Sequence, residues 1–555
     1  MSAAHACLGL LRRRRTLSLA RLLWWLALLT VIAGTWRIVG TYDVFGITFD
    51  EPAHIAAGMQ LLDRDKFTYE PVHPPLARIA VALGPYLAGY HAQDGGDMWI
   101  EGRRLFYTAT SGPDRRLLTL ARLGVVPFFV LTLVIVWVWG ARQYGAAAGA
   151  LAVILLGNLP LLLGHAGLAT TDVVFSAMFL LAFCAFVEWV ETPSAMRGLA
   201  LGIAVALAVT AKLSALLFLP AACGAVLVYR WVVERKGWSP IRLLRAWPGL
   251  LAGAASFLAV VWTVYGCERD PFYGIKSLDE GIGQLADLAR AGDYSYFLGE
   301  IRAHGSWAFF PVLILVKSPL PFLLAFAIGA AGLLHRDRGD WRCMGALLGV
   351  VAIVASVVPS TINIGLRHIL PAFPLMAIVA AVGLARPFAA PVAGWRFALA
   401  GLLLAWQVGD VAAATPDYLA YFNQLVRGEP QRIVVGSDLD WGQDVRRLSA
   451  ALHERQVSRF HLAVHTSADL RKHDLPPFET LYPGEPTTGW VAISEQVKAF
   501  YCAGYQWLRA YQPVARIGAS IRLYYIPGPP TEPGKPDLVR QFNWGAPQPC
   551  LQKDR

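Results

Sequence analysis

Apolar residues occur along this chain in long blocks that are separated by short polar segments. Most blocks hold roughly 17–25 residues, the length that an α-helix needs to cross about 30 Å of hydrocarbon. The blocks lie at 17–39, 119–140, 146–164, 171–190, 197–211, 213–230, 246–265, 307–334, 343–360, 368–385 and 395–411. The pattern therefore predicts about eleven transmembrane helices, which would form an all-α polytopic membrane domain over residues 1–415.

Composition and charge support this interpretation. The chain has 555 residues, of which 56% are hydrophobic and 16% are charged, whereas about a quarter of the residues in a soluble domain are charged. The formal net charge is +11, and most basic residues lie in short loops between the blocks, as in cytoplasmic loops. We therefore expect a multi-pass protein of the plasma (inner) membrane, with no nucleic-acid partner and the N-terminus in the cytoplasm.

The N-terminal block has two interpretations. A run of arginines at 12–15 precedes the apolar stretch, as in a signal peptide, but no convincing small-x-small cleavage site follows that stretch before Trp36. We therefore interpret 17–39 as an uncleaved first span. An odd number of spans then places the C-terminus on the extracytoplasmic side.

The pattern changes in the longer loops and at the C-terminus. Two predicted outer loops, 40–118 and 266–306, are longer than connectors need to be. After Thr415 short alternating segments replace the long blocks, which predicts a small soluble α/β domain at 416–555. Its predicted elements are strands at 432–437, 459–464 and 489–494 and an amphipathic helix at 444–455. Cys502 and Cys550 lie in this domain and are candidates for a disulfide.

Acidic residues collect at the outer ends of the predicted spans. The first outer loop contains FDEPAH, with Asp50 and Glu51, and then HPPL, where two prolines stiffen the chain after His73. Asp172 enters the fourth span at the end of GHAGLATTD. A carboxylate at the mouth of a membrane helix usually has a partner or a function. The plainer alternatives are helix N-caps at Asp50 and Asp172 and a simple turn at His73.

Basic residues recur on the same outer face. Lys212, Lys317 and Arg367 lie at predicted span boundaries or in apolar surroundings, and His368 follows Arg367. Any one of them can snorkel to the surface, but together they indicate a site for an anion at the membrane surface. The C-terminal segment GSDLDWGQD, residues 436–444, is either a site for sugar, metal or protein or an acidic turn that caps the following helix.

In their order along the chain, these motifs resemble a known class of enzyme. The Asp-Glu pair, HPPL, TTD, a late Lys-Ser-Pro and the segment RHILP resemble phospholipid-carrier-dependent glycosyltransferases of the GT-C class, similar to glycosyltransferase family 39. Relatives of this class include protein O-mannosyltransferases and the lipid A aminoarabinose transferase. The resemblance spans residues 17–411. It implies a GT-C fold and inverting transfer of a hexosyl or pentosyl group from a polyprenyl-phosphate donor to a hydroxyl of a protein, lipid or polysaccharide.

The resemblance also implies roles for single residues. Asp50 matches the catalytic carboxylate, and Glu51 and Asp172 match residues that shape or tune its site. Substrate-binding roles are expected for His54, His73, His165, Lys212, Lys317, Arg367 and His368. No metal ligand is assigned, because members of this class differ in their need for a divalent metal. Since phosphate leaves readily, one general base suffices for a single displacement.

Two other functions remain open at this point. A polytopic transporter or lipid-linked sugar flippase predicts ionisable residues near the centres of helices and an inverted repeat. A non-catalytic scaffold that presents the C-terminal domain leaves the polar residues unexplained. The polar residues lie mostly at one face and the sequence shows no repeat, so the pattern favours the transferase.

Overall fold

The computed structural model describes residues 2–93, 96–107, 112–234, 246–389, 394–426 and 428–528. Cys550, the basic loop at 235–245 and the end of the predicted C-terminal domain lie outside the described residues. The α-helices are Ser2–Gly40, Glu51–Arg64, Pro75–Leu87, Met98–Phe106, Arg115–Leu123, Val126–Tyr144, Ala146–Gly157, Pro160–Ala166, Asp172–Glu191, Ala195–Ala211, Ala215–Val233, Trp247–Val264, Tyr273–Ala291, Phe309–Lys317, Leu320–Gly332, Trp341–Val357, Ala372–Ala389, Gly394–Ala413, Val445–Glu454 and Glu495–Phe500.

Long apolar helices make this chain a multi-pass membrane protein. Within the described ranges, seven helices are long and apolar enough to cross a membrane, or eight if the bent pair Ala146–Gly157 and Pro160–Ala166 is one span. Four shorter apolar helices accompany them, so the predicted total of about eleven spans stays a prediction. The predicted span 307–334 is wrong as one continuous helix. It is divided at Ser318 and Pro319, because proline lacks a backbone N–H and disfavours helical geometry in the residue before it.

Exposure separates the lipid-facing helices from the central one. Large apolar side chains such as Trp25, Ile32 and Leu251 are exposed on the outer helices, where a bilayer would cover a surface that water would not favour. The helix Asp172–Glu191 is different, since 78% of its most apolar 18-residue stretch is buried by other parts of the protein. Asp172 therefore begins a helix that lies inside the bundle.

The helix that precedes Lys212 is held by close backbone packing. Gly198 and Gly202 on this helix face Gly249 and Gly253 on Trp247–Val264, and a Cβ atom on Gly202 would lie 2.0 Å from the carbonyl oxygen of Gly253. Small residues at this spacing allow membrane helices to approach closely. The contact fixes the helix Ala195–Ala211, and Lys212 is its C-cap residue.

Short helices of the long loop 40–118 pack against one another. A Cβ atom on Gly58 would lie 2.1 Å from the carbonyl oxygen of Arg78, so the helices Glu51–Arg64 and Pro75–Leu87 touch through their backbones. Both helices begin with prolines near their N-termini, which are preorganised for that position. This packing brings the first helix near the HPPL segment, where the rings of His54 and His73 lie 5.3 Å apart.

The described residues contain seven β-strands. They are β1 Ser295–Phe297, β2 Glu300–Arg302, β3 Phe460–Ala463, β4 Phe478–Thr480, β5 Gly489–Ser494, β6 Ala515–Ile517 and β7 Ile521–Ile526. Strands β1 and β2 form an antiparallel hairpin within the long loop 266–306. The five C-terminal strands form a mixed sheet in the order β4-β3-β5-β7-β6, in which β3 is parallel to β4 and β5, whereas β7 is antiparallel to β5 and β6.

One predicted strand in this region is wrong. Residues 432–437 overlap two short 3-10 turns, Pro430–Arg432 and Gly436–Asp438, and only 433–435 lie between these turns. Gly436 adopts a φ of +66°, which turns the chain. Val434 forms an isolated bridge to Phe297 of the hairpin. Cys502 is disulfide-bonded, and its predicted partner Cys550 lies outside the described residues. The domain boundary at 415/416 stays a prediction.

Candidate active site

Four charged residues from separate elements form a continuous chain of ion pairs. The Arg367 Nη2 atom lies 3.1 Å from Asp50 Oδ2, and its Nη1 atom lies 3.5 Å from Asp172 Oδ2. Lys212 Nζ lies 2.6 Å from Asp172 Oδ1. We term these four residues the charge cluster. Two carboxylates and two cations balance one another there, which reduces the cost of placing them at the end of an apolar bundle.

The two carboxylates of the charge cluster differ in exposure. The side chain of Asp172 is fully buried and both of its oxygens face cations, whereas the side chain of Asp50 is 24% exposed. Asp50 also lies in the wall of a cavity. Asp50 is therefore the carboxylate of this cluster that a substrate can reach.

The cavity beside Asp50 has a volume of about 480 Å³, within the usual range for small-molecule sites. Asp50 and Arg367 supply charge to its wall, and much of the remaining lining is aromatic. The aromatic lining includes Phe49, Tyr296, Phe309, Trp441, His465 and Tyr501. The rings of Phe49 and His465 stack at 4.5 Å between centroids. A mostly apolar cavity with a few convergent polar groups is typical of a binding site.

Neutral histidines surround the charge cluster. Burial, followed by the charges of His73 and Arg78, lowers the pKa of His54 well below its ordinary value. Burial and the neighbouring cations Lys212 and Arg367 have the same effect on the pKa of His368. At neutral pH each of these two rings therefore offers one donor and one acceptor nitrogen.

Several buried nitrogens at this site lack a hydrogen-bond partner. They include His54 Nδ1, His368 Nε2 and Arg367 Nε. Leaving such atoms unpaired costs free energy, so they are suited to bind the oxygens of a ligand. His165 Nδ1 is also unpaired, and the His165 ring lies 6.0 Å from that of Trp441. Of the residues with these unpaired nitrogens, Arg367 lines the cavity, whereas His54, His165 and His368 lie behind its wall.

His73 is held by two residues that the sequence analysis did not identify. His73 Nδ1 lies 3.0 Å from Glu70 Oε2, and Arg78 pairs with the same carboxylate. Burial alone would raise the pKa of Glu70, but His73 and Arg78 lower it to about 2. The His73 ring lies 5.3 Å from that of His54. The three-residue spacing of Glu70 and His73 is the sequence feature from which their contact could have been predicted.

Glu51, which is expected to shape or tune the catalytic site, does not line the cavity and is bound by other protein groups. Glu51 is fully buried, pairs with Arg122 at 2.7 Å and accepts hydrogen bonds from the backbone N–H groups of Thr48 and Ala169. Its carboxylate therefore has no free oxygen for a substrate. Glu51 instead fixes the loop before Asp50 to the loop before Asp172, which is a positioning role.

Lys317, for which the sequence predicts a substrate-binding role, is also bound by other protein groups. The Lys317 ammonium group is buried, donates to the carbonyl oxygens of Leu419 and Asp438, and lies 3.6 Å from Asp438 Oδ1. These partners occupy its hydrogen-bonding capacity. Lys317 joins the membrane helices to the C-terminal region, whereas Lys212 and Arg367 remain with the acidic residues of the charge cluster.

The described residues contain no group of three or more His, Cys, Asp or Glu side chains placed to hold a metal ion. We therefore assign no metal ligands.

Comparison with known proteins identifies the fold. The sequence matches no protein-family profile and no curated protein. The structure is similar to that of ArnT from Cupriavidus metallidurans bound to undecaprenyl phosphate, with 14% identity, a TM-score of 0.50, and 89% of this chain and 97% of that chain covered. At that identity the likeness establishes the fold alone. The chain has the fold of the GT-C glycosyltransferases, as its motifs predict.

Two other solved structures are similar at lower scores. AglB, the oligosaccharyltransferase of Archaeoglobus fulgidus, in complex with an inhibitory peptide and a dolichol-phosphate, has 12% identity and a TM-score of 0.44, with 83% of this chain and 62% of that chain covered. The Pmt1-Pmt2 protein O-mannosyltransferase of S. cerevisiae bound to the sugar donor has 19% identity and a TM-score of 0.34, with 46% and 34% covered.

Proposed function

We propose that this protein is a membrane glycosyltransferase that moves a sugar from a polyprenyl-phosphate donor to a hydroxyl acceptor, with Asp50 as the general base. The observation that carries the proposal is the position of Arg367 between Asp50 and Asp172 at the wall of the cavity. The partly exposed Asp50 carboxylate and the Arg367 guanidinium group, which two carboxylates hold in place, are therefore in contact at the cavity wall. A transporter is disfavoured, because Asp172 and Lys212 lie at helix ends rather than at helix centres.

The proposed chemistry is a single displacement. The acceptor oxygen attacks the anomeric carbon while Asp50 takes the hydroxyl proton, and the bond from that carbon to the phosphate oxygen breaks with its electron pair left on the phosphate. Arg367 and Lys212 would stabilise the leaving phosphate, and the unpaired nitrogens of His54 and His368 would hydrogen-bond its oxygens or those of the sugar. Attack opposite to the leaving group inverts the anomeric centre.

The donor class is supported by the structural likeness. ArnT, whose fold this chain shares, has been solved with undecaprenyl phosphate, and we propose a lipid phosphate of that kind for the donor here. The sugar would be a hexosyl or pentosyl group, with mannose suggested by the motif resemblance. The direct test is mass spectrometry of lipid-linked sugars in cells that lack the protein. Accumulation of one polyprenyl-phosphate sugar would identify the donor, and an unchanged pool would contradict the proposal.

We propose that the site faces the extracytoplasmic side of the plasma (inner) membrane. The loop charges support this orientation, as does the disulfide at Cys502, since disulfides form in oxidising compartments. A reporter fused after residue 340 is expected to be cytoplasmic, and one fused after residue 420 is expected to be extracytoplasmic. Paired alkaline phosphatase and fluorescent protein fusions measure this directly, and the same side for both sites would overturn the orientation.

Replacement of Arg367 by glutamine is expected to weaken binding of the lipid phosphate. A hydrogen bond to a charged group contributes about 1.5–3 kcal/mol, so the dissociation constant for undecaprenyl phosphate should rise roughly 10- to 150-fold. The measurement is a titration of purified protein in lipid nanodiscs.

Two further variants make this titration specific. Arg302→Gln is the matched control, because the Arg302 side chain is exposed, pairs with Glu300 and does not line the cavity; its affinity should be unchanged. Lys317→Gln is expected to lower folded yield but not the affinity of the folded fraction. Equal affinity in Arg367→Gln and the wild type would remove Arg367 from the donor site.

A further inference from the structure

We propose that the segment 436–444, GSDLDWGQD, is a positioning element that holds Asp50 and Arg367 in contact. The C-terminal region would then be part of the catalytic site rather than an appended domain. The catalytic meaning of this inference rests on the proposed function. Its structural content, that Trp441 and its neighbours fix the position of the Arg367 guanidinium group, is independent of it.

The first half of the segment binds the loop that carries Arg367. The Ser437 hydroxyl donates to the carbonyl oxygen of Ile364 at 2.8 Å, and the Leu366 N–H donates to Asp438 Oδ2 at 3.1 Å. Gly365 lies between these two bonds, and a Cβ atom there would lie 2.3 Å from Ser437 Oγ. The residues directly before Arg367 therefore rest on the segment with no space between them.

Trp441 supports the Arg367 side chain itself. The guanidinium carbon of Arg367 lies 4.2 Å from the centre of the Trp441 ring. A cation over the face of tryptophan is attracted by the ring electrons. Trp441 is 4% exposed, so this contact is sheltered from water. The ring acts as a platform from which the two Nη atoms of Arg367 reach Asp50 and Asp172.

The second half of the segment binds the loop that carries Asp50. The Phe49 N–H donates to the carbonyl oxygen of Trp441 at 3.0 Å, and the Gly46 N–H donates to that of Gln443 at 2.9 Å. The Gln443 side chain also stabilises the turn at 439–443, because it accepts a hydrogen bond from the Trp441 N–H and donates one to the carbonyl oxygen of Leu439. One residue, Trp441, thus contacts Arg367 through its ring and the residue before Asp50 through its backbone.

The acidic residues of the segment fasten it to its surroundings. Asp440 accepts from the Gln496 N–H at 2.7 Å, Asp444 accepts from the Ser520 hydroxyl at 2.8 Å, and Asp438 pairs with Lys317. All three aspartates are buried, and these bonds tie the segment to the sheet region and to a membrane helix. The acidic composition of the motif is therefore explained by anchoring.

The test measures the accessibility and the function of Arg367 in Trp441 variants. In Trp441→Leu the platform is lost, and we expect modification of Arg367 by phenylglyoxal, read by peptide mass spectrometry, to become about tenfold faster. Trp441→Phe keeps an aromatic face and should restore most of the protection. Trp490→Leu is the control. Trp490 lies in strand β5 of the five-stranded sheet, where it packs on Tyr525 of β7, and it does not line the cavity. Ser437→Ala is a milder variant in case Trp441→Leu does not fold, and it should raise the modification rate by a few fold.

A double-mutant cycle separates positioning from a general loss of structure. We expect Trp441→Leu to reduce the transfer rate at saturating donor by about tenfold in the wild-type background and to have no further effect in an Arg367→Ala background, because coupled residues are not additive. The inference would be overturned if Trp441→Leu lowered the transfer rate by the same factor in the wild-type and Arg367→Ala backgrounds. It would also be overturned if phenylglyoxal modified Arg367 in Trp441→Leu no faster than in the wild type. If the wild type transfers no sugar from any donor, the proposed function fails, while the phenylglyoxal result still decides the positioning role.

Discussion

Replacement of Asp50 by asparagine is expected to lower the transfer rate by about 10²–10⁴-fold, the usual contribution of a positioned base. Asparagine keeps the size of the side chain, and its amide oxygen can still accept from Arg367, so folding and donor binding should survive. The measurement is the transfer rate in membranes at saturating donor, normalised to the amount of folded protein.

Two matched variants sharpen this experiment. Asp270→Asn removes an exposed aspartate that pairs with Lys276, and exposed pairs contribute little, so its transfer rate should equal that of the wild type. Asp172→Asn leaves Lys212 and Arg367 with a weaker partner and should reduce folded yield as well as rate. Near-normal transfer in Asp50→Asn would eliminate Asp50 as the base.

The sequence alone could predict the members of the charge cluster but not their pairing. Asp172 begins an apolar helix and Lys212 follows one, while Asp50 and Arg367 lie in segments that directly connect to apolar helices. The membrane plane brings the ends of such helices to a common level. Which cation meets which carboxylate depends on contacts between distant parts of the chain. Arg367 and Asp172, for example, are 195 residues apart.

The same limit applies to Glu51 and Lys317, because their charge partners lie far away in the sequence. Glu51 is adjacent to Asp50, and its burial follows from Arg122, which is 71 residues away. Lys317 was expected to face an anion, yet its partner Asp438 is 121 residues away. Residue type and spacing identify a charged group near the site, but they do not show whether another protein group already neutralises it.

The elements of the fold could be predicted where hydrophobic periodicity was strong. The helix at Val445–Glu454 and strands β3 and β5 lie within a residue or so of their predicted positions. The segment 432–437 has the composition of a strand, but its glycine and its contacts with the Arg367 loop bend it into turns. Local propensity was overridden there by tertiary packing.

Replacement of Glu51 by glutamine is expected to destabilise the protein by about 3–5 kcal/mol, the usual cost of leaving a buried ion without its partner. Arg122 would then remain buried with a neutral partner, although it still donates to the carbonyl oxygens of Phe45 and Gly46. Thermal unfolding in detergent, followed by size-exclusion chromatography, measures the loss. The double variant Glu51→Gln, Arg122→Met should recover part of the stability, because it removes the unpaired charge.

The pH dependence and the activity of the same variant test the assignment from another direction. Burial alone would raise the pKa of Glu51, but Arg122 and the N–H groups of Ala169 and Thr48 lower it below its ordinary value of 4.5. The stabilisation is therefore complete above pH 4.5 and is lost as the pH falls toward the lowered pKa of the folded state, and Glu51→Gln should lack this loss. Transfer per folded molecule should remain within several-fold of the wild type, because Glu51 positions the Asp50 loop without touching substrate. A fall of about 10²–10⁴-fold in folded Glu51→Gln, together with normal transfer in Asp50→Asn, would move the base by one residue and keep the displacement mechanism.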